Sequence, residues 1–380
     1  MDAGVSRVAV LGAGTMGHGI AEVLAMSGRE VRVRDVEQRF VDGAREKIGW
    51  SLARLREKGQ LREEPARVMG RLSFGLDLKA AVKGCDMVIE AVPEDVALKR
   101  RIFGQLEKLA GASTILATNT SSLPIDEVSS AVGDPSRVVG VHFFNPPVIM
   151  RLVEVIRGPA TSQSVVDRAL ALVTSLDKRP VLVRKGVPGF VVNRILVRMM
   201  STARLVVQRG MASVQEVDAA LKYDAGLPMG AFELADYIGL DVMTSVERAM
   251  AERGFPVPAG DLFESMVKAG TLGTKTGSGF YVYSKERPRA AVPRELAGRV
   301  SASLLLSPSV NEAAWLIANS IASREDVDAG VTLGLGFPAG IFAMASRWGA
   351  AAVVSDLESL KQKTGEAWLE PEGGLRTLLR

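Results

Sequence analysis

The spacing of apolar residues along the chain changes near its middle. Up to about residue 185, short apolar runs alternate with amphipathic stretches. Residues 5–11, 30–33, 71–74, 86–92, 113–117, 138–143, 150–156 and 180–184 read as strands. Helical periods lie between them at 20–27, 39–71 (one helix or two), 96–109 and 164–176. Such alternation predicts an α/β layer built on a mostly parallel sheet. Gly186-Val-Pro-Gly189 then breaks the chain, and strands give way to helices at 190–208, 214–221, 231–237 and 241–252. The change of period predicts a domain boundary near residue 186. A glycine-rich loop leading into a last short strand is expected at 273–283.

The helical part repeats itself. Ala212-Ser-Val-Gln-Glu-Val-Asp-Ala219 returns as Ala322-Ser-Arg-Glu-Asp-Val-Asp-Ala329. The match runs on without a gap: Gly226, Pro228, Gly230, Phe232, Ala235 and Gly239 correspond to Gly336, Pro338, Gly340, Phe342, Ala345 and Gly349. A match of that length predicts a duplicated helical unit. The expected domains are therefore 1–185, 186–285 and 291–380. Ser303 stands where the first copy has Asn193. The second copy brings no glycine loop or histidine of its own and reads as structural, packed on the first as two subunits pack.

Composition narrows the function without naming it. The apolar and charged fractions, 47% and 24%, are those of a globular protein. No apolar run approaches the length needed to span a bilayer, and no signal-peptide pattern opens the chain, so a cytoplasmic protein without a membrane role is expected. Cys85 is the only cysteine and there are two histidines, which argues against a disulfide framework or a metal site. The net charge of +4 is spread out and poor in interleaved aromatics, so nucleic acid is not an expected partner.

Two segments carry chemistry. The first is Gly12-Ala-Gly-Thr-Met-Gly17, a G-x-G-x-x-G between a strand and a helix. The first glycine makes the turn, the second lets a pyrophosphate approach the backbone, and the third lets helix and strand pack closely. Asp35 ends the second strand about 20 residues on, where an acid receives the ribose hydroxyls and repels a 2′-phosphate. NAD is the expected cofactor, although Arg32 and Arg34 flank the acid. His18, in the first turn of the following helix, reads as an ordinary helix residue.

The second is Gly140-Val-His-Phe-Phe-Asn-Pro-Pro-Val-Ile-Met-Arg-Leu-Val-Glu-Val155. Two strands flank a proline turn, and each holds one residue of interest, His142 and Glu154. Folding about the turn can bring imidazole and carboxylate together, roughly 2.6–3.2 Å apart, which fixes the tautomer of a general base. The polar tip Thr118-Asn-Thr-Ser-Ser122 closes another strand, where open α/β sheets bind ligands.

Taken together these residues resemble the L-3-hydroxyacyl-CoA dehydrogenase family. The resemblance rests on Gly12-Ala-Gly-Thr-Met-Gly-His-Gly-Ile-Ala21, Asn119-Thr-Ser-Ser-Leu-Pro124, Val141-His-Phe-Phe-Asn-Pro146, Gly189-Phe-Val-Val-Asn-Arg194, Gly226-Leu-Pro-Met-Gly230 and Lys275-Thr-Gly-Ser-Gly-Phe280. It covers nearly the whole chain in order, and its duplicated C-terminal part is similar to that of multifunctional β-oxidation proteins, without their hydratase domain.

The resemblance implies a Rossmann-type α/β domain followed by an all-α domain in two tandem copies. It implies NAD-dependent, reversible oxidation of an L-3-hydroxyacyl-CoA to the 3-ketoacyl-CoA, in fatty-acid or butyrate metabolism. His142 would be the base and Glu154 its orienter, with Ser121 and Asn193 on the substrate. Gly12, Gly14, Thr15, Met16, Gly17, Asp35, Glu94, Lys99, Ser121, Asn145 and Lys275 would border NAD. Ser51, Lys58, Lys99 and Ser121 would face the acyl-CoA. A dehydrogenase of a free hydroxy acid on the same scaffold, or a non-catalytic NAD-binding protein, are the competing readings. A monomer with an internal pseudo-dimer of helical domains, or a homodimer, are both compatible with the duplication.

Overall fold

The computed structural model describes residues 4–286 and 288–379. The chain forms two compact units that divide between Val187 and Pro188.

The first unit is built on one eight-stranded sheet in the order β3-β2-β1-β4-β5-β6-β7-β8. The strands are β1 (Arg7–Leu11), β2 (Glu30–Arg34), β3 (Leu72–Gly75), β4 (Met87–Glu90), β5 (Ile115–Thr118), β6 (Val138–Phe143), β7 (Leu152–Ile156) and β8 (Arg179–Val183). All neighbours are parallel except β6 and β7. The reason lies in the connections. Helical crossovers bring each parallel strand back to the same end, whereas β6 and β7 are joined by a tight proline turn that leaves room only for an antiparallel return. The chain winds outward from β1 to β3 and then restarts at β4 on the other side of β1. That reversal opens a crevice at the carboxyl ends of β1 and β4, where this sheet class binds ligands.

The helices of this unit are α1 (Thr15–Met26), α2 (Gln38–Glu57), α3 (Pro65–Met69), α4 (Leu78–Val82), α5 (Val96–Leu109), α6 (Ile125–Ser129) and α7 (Gln163–Ser175). The stretch 39–71 thus contains two helices. Two details differ from the sequence expectation. Helix α1 starts at Thr15, five residues before residue 20, because Gly17 and Gly19 interrupt the apolar period without interrupting the backbone. Short α4 and α6 were too brief to show a period; α4 is fixed by Asp77, whose carboxylate caps the amides of Lys79 and Ala80. Strands β4, β5, β6 and β7 are buried at every position, which explains their unbroken apolar runs.

The second unit is helical: α8 (Val192–Gln208), α9 (Val214–Ala219), α10 (Ala231–Ile238), α11 (Leu240–Ala251), α12 (Leu262–Lys268), α13 (Ala302–Ala318), α14 (Arg324–Gly334), α15 (Ile341–Trp348) and α16 (Ala350–Thr364). The repeat is visible in three dimensions. Helices α8 and α13 are both 17 residues long, and α10 and α15 are both 8. Ser213 and Ser323 cap α9 and α14 in the same way. A Cβ at Gly230 would meet Asp218, and one at Gly340 would meet Asp328, at 2.4 and 2.3 Å. In both copies the aspartate needs a bare glycine to approach the next helix.

The copies differ in what surrounds that aspartate. In the first, Asp218 accepts the amides of Phe232 and Glu233 and the hydroxyl of Tyr281. Tyr281 belongs to the glycine-rich segment at 273–283, which forms only isolated bridges and not the short strand expected. In the second copy Asp328 Oδ1 is left without a hydrogen bond. The two copies are joined through α8 and α13, where Arg194 and Arg198 converge on Glu312 in a buried ion-pair cluster. The Arg198 guanidinium also lies over the rings of Phe255 and Trp368, at 4.3 and 4.2 Å.

Candidate active site

The glycine loop leaves β1 at Gly12, whose φ of +98° is open to glycine and strained for other residues. A Cβ there would stand 2.5 Å from Ala91 O, and one at Gly17 would stand 1.7 Å from Gly12 O. Both glycines are demanded by the loop's own packing. Gly14 is different: a Cβ there would meet nothing within 4 Å. It lies exposed beside Thr15 at the start of α1. Open space over an N-terminal helix turn, with backbone amides facing it, is what a pyrophosphate requires. Met16 is half-buried against the sheet core, so its side chain anchors the turn. His18 Nδ1 lies 2.7 Å from Gly14 O. Burial holds the His18 imidazole below its ordinary range, against the hydrogen bond to Gly14 and with a smaller push from the Lys47 ammonium.

Asp35 ties this loop to β2. One carboxylate oxygen accepts the amide of Ala13 at 2.6 Å and the other that of Val36 at 2.6 Å. The neighbouring arginines are committed elsewhere. Arg32 donates to the carbonyls of Ala80 and Lys83, and Arg34 to that of Leu76. An acid at the ribose position with both arginines spent on main-chain carbonyls fits NAD better than a 2′-phosphorylated cofactor.

A second cluster stands at the ends of β4 and β5. Lys99, on α5, is 1% exposed, and its ammonium lies 2.7 Å from Glu90 Oε1 and 3.2 Å from Glu94 Oε2. Glu90 also accepts the Thr118 hydroxyl and the Val92 amide, both at 2.8 Å. Glu94 accepts the Thr120 hydroxyl and the amides of Ser121 and Ser122. Burial pushes the Glu94 carboxyl up, but the Lys99 ammonium and these hydrogen bonds outweigh it and hold it below the usual range. Glu94 therefore shapes the loop that presents Ser121. Lys99 can reach a ligand only by leaving one of its carboxylates. Asn119 joins this loop to the next strand, its Oδ1 accepting the amide of Phe143 at 2.8 Å.

His142 and Glu154 face each other across the antiparallel pair β6 and β7, in direct register. Nδ1 of His142 is 2.8 Å from Oε2 of Glu154, inside the reach anticipated from the sequence. Glu154 is fully buried and His142 is 6% exposed. A carboxylate only accepts, so Nδ1 carries the proton and Nε2 keeps its lone pair. The ring of Phe144 packs against the imidazole at 4.6 Å.

The other anticipated residues fall in several places. Asn145 is exposed in the turn after β6. Ser51 is half-buried on α2 and hydrogen-bonds the buried Glu22 of α1, and Lys58 is exposed at the end of α2. In the second unit, Asn193 is half-buried in the first turn of α8, and Lys275 forms an ion pair with Asp241 at 2.7 Å. Ser303, the counterpart of Asn193, hydrogen-bonds Asp356. Sequence reasoning passed over Glu90 and Asn119. The signal for Glu90 was present: like Glu154, it is an acid in an otherwise apolar strand.

Comparison with known proteins agrees with this picture. The family model described as the NAD-binding domain of 3-hydroxyacyl-CoA dehydrogenase matches residues 7–186. That of the C-terminal domain matches twice, over 189–283 and 302–380, as the internal repeat predicts. A probable 3-hydroxybutyryl-CoA dehydrogenase of Deinococcus radiodurans is 41% identical over 282 residues, 73% of this chain and 100% of the relative. The 3-hydroxybutyryl-CoA dehydrogenase of Clostridioides difficile is 40% identical over the same shares of the two chains. The crystal structure of 3-hydroxybutyryl-CoA dehydrogenase from Escherichia coli superimposes with a TM-score of 0.88 at 28% identity, covering 99% of this chain and 98% of that one.

Proposed function

The chain belongs to the 3-hydroxyacyl-CoA dehydrogenase family, and from that premise we propose that it oxidises an L-3-hydroxyacyl-CoA reversibly to the 3-ketoacyl-CoA through the pair His142–Glu154. It is an oxidoreductase acting on a CH–OH group, and NAD is its cofactor. Glycine loop and Asp35 hold the dinucleotide. Bound NAD supplies the hydride acceptor.

The protein's own part is proton transfer and positioning. Nε2 of His142 takes the hydroxyl proton as the hydride leaves C3 and the carbonyl forms. Glu154, through Nδ1, keeps the ring in the receptive tautomer and balances the imidazolium. In the reverse direction the same imidazolium returns its proton to the ketone oxygen. The hydroxyl of Ser121 and the amide of Asn193 hold the substrate oxygens; the first is supported by a loop organised on Glu94, the second by its motif alone. Ser51, Lys58 and Lys99 are assigned to the acyl-CoA, and Glu94, Lys99, Asn145 and Lys275 to the surroundings of NAD. We place the reaction in the cytoplasm, in fatty-acid or butyrate metabolism. No helix among the described residues is long and apolar enough to cross a membrane. The duplicated helical part suits a monomer that carries its own pseudo-dimer, with a homodimer as the alternative.

The observation that carries the reading is the buried 2.8 Å contact between His142 and Glu154 within a dinucleotide-binding sheet. The test is NADH-dependent reduction of acetoacetyl-CoA, followed at the NADH absorbance, beside acetoacetate and beside NADPH. Turnover confined to the thioester with NADH supports the reading. Equal turnover of the free acid moves the protein to another substrate class.

A further inference from the structure

Lys178 precedes β8 and is 9% exposed, and main-chain carbonyls rather than a carboxylate receive its ammonium. Its ammonium donates to the carbonyls of Pro147 and Met150, each at 2.6 Å. Both belong to the turn between β6 and β7, so one cation bridges two points of that turn. The turn also rests on α1. A Cβ on Gly19 would lie 2.9 Å from Pro147 Cδ, closer than packing allows. Holding the turn therefore uses a buried cation at one contact and a missing side chain at another.

What the turn carries gives this grip a purpose. Phe144 at its start packs on the His142 ring, and Leu152 at its end begins the strand that holds Glu154. Burial, then the Arg151 charge, push the Lys178 ammonium down to about 8, so the site accepts a real desolvation penalty to keep a cation there. An apolar side chain would fill the space without it, but it would leave one buried and one half-buried carbonyl short of a donor.

We propose that Lys178 is a positioning residue for the dehydrogenase reaction, clamping the 144–151 turn against Gly19 so that His142 and Glu154 keep their mutual geometry. The inference rests on the activity proposed above. The test compares K178M with the parent in acetoacetyl-CoA reduction, together with hydrogen–deuterium exchange of the segment 143–152. A fall in kcat of about 10- to 100-fold is expected, with KM and NADH affinity within about threefold and faster exchange confined to the turn. G19A, which presses on the same turn at Pro147, should reproduce the kcat effect and serves if K178M does not fold. Parent-like kcat in either folded variant overturns the proposal. So does a loss shared equally by kcat, NADH affinity and thermal midpoint, which marks a purely structural lysine. If the parent itself fails to reduce acetoacetyl-CoA, the activity assignment falls, and exchange decides the clamp alone: an unchanged turn in K178M overturns it.

Discussion

His142 Nδ1 and Glu154 Oε2 stand 2.8 Å apart on directly opposed positions of two antiparallel strands. Sheet register sets the two side chains opposite each other, and the turn that joins their strands holds the pair at one end. His142→Gln should therefore lower kcat by about 10²- to 10⁴-fold while leaving NADH affinity near that of the parent. Glu154→Gln keeps the shape and removes the charge, and a smaller fall in kcat is expected. Steady-state kinetics with acetoacetyl-CoA and a fluorescence titration of NADH check both. Parent-like turnover in His142→Gln would remove the imidazole from the mechanism.

The glycines of the loop divide by what a methyl group would strike. At Gly17 it would collide with Gly12 O, and at Gly14 it would enter open space. Gly17→Ala should lower the melting temperature and NADH binding together. Gly14→Ala should keep the melting temperature within about 2 °C yet weaken NADH binding by about tenfold or more, a loss of about 1.4 kcal/mol. Thermal unfolding with and without NADH separates the two. Unchanged NADH affinity in Gly14→Ala would show that the dinucleotide lies elsewhere.

Glu22, on α1, is 1% exposed with Oε1 lacking a hydrogen bond, and burial raises its carboxyl to about 7. A carboxyl whose folded pKa exceeds its unfolded one favours folding only while protonated. Its contribution is complete below about pH 4.5 and is lost as pH rises to about 7. Glu22→Gln removes that loss. The variant should match the parent near pH 4 and exceed it by about 2–3 kcal/mol at pH 8, in urea unfolding at each pH. A pH-independent difference would mean that Glu22 does not titrate in this range.

Arg204 and Glu247 form a buried pair in the first helical copy, 3.2 Å apart, with Nε of one and Oε1 of the other unbonded. The matching positions in the second copy are Ala314 and Leu357, both buried. An apolar pair therefore suffices for this fold. The double variant Arg204→Met with Glu247→Leu is expected to be neutral or more stable by about 1–4 kcal/mol. Glu247→Leu alone strands the guanidinium and should cost about 3–5 kcal/mol. Denaturant midpoints of the three proteins test this; a destabilised double variant would give the pair a role beyond the fold.

Much of this molecule is legible in its residues one at a time. Gly12 and Gly17 announce a turn because only glycine tolerates the contacts there. Asp35 follows at the strand end that a ribose reaches. Glu154 stands out because an acid inside an apolar run needs a partner, and His142 was the histidine placed to supply one. The helical duplication needed nothing but counting. Less legible were the short helices α4 and α6, which turn too few times to print a period.

By itself, then, the sequence determined the α/β unit, the duplicated helical unit, the glycine loop and the pairing of His142 with Glu154, because each follows from local periodicity or from one residue type in an anomalous setting. Tertiary structure alone decided how the remaining polar groups are shared. Glu90 and Glu94 divide Lys99 between them, Asn119 reaches the amide of Phe143, and Lys178 grips the carbonyls of Pro147 and Met150. Any lysine can serve any carboxylate or carbonyl it meets. Which one it meets is fixed by the crossing of strands and helices that bring distant segments together, and burial then makes each pairing obligatory.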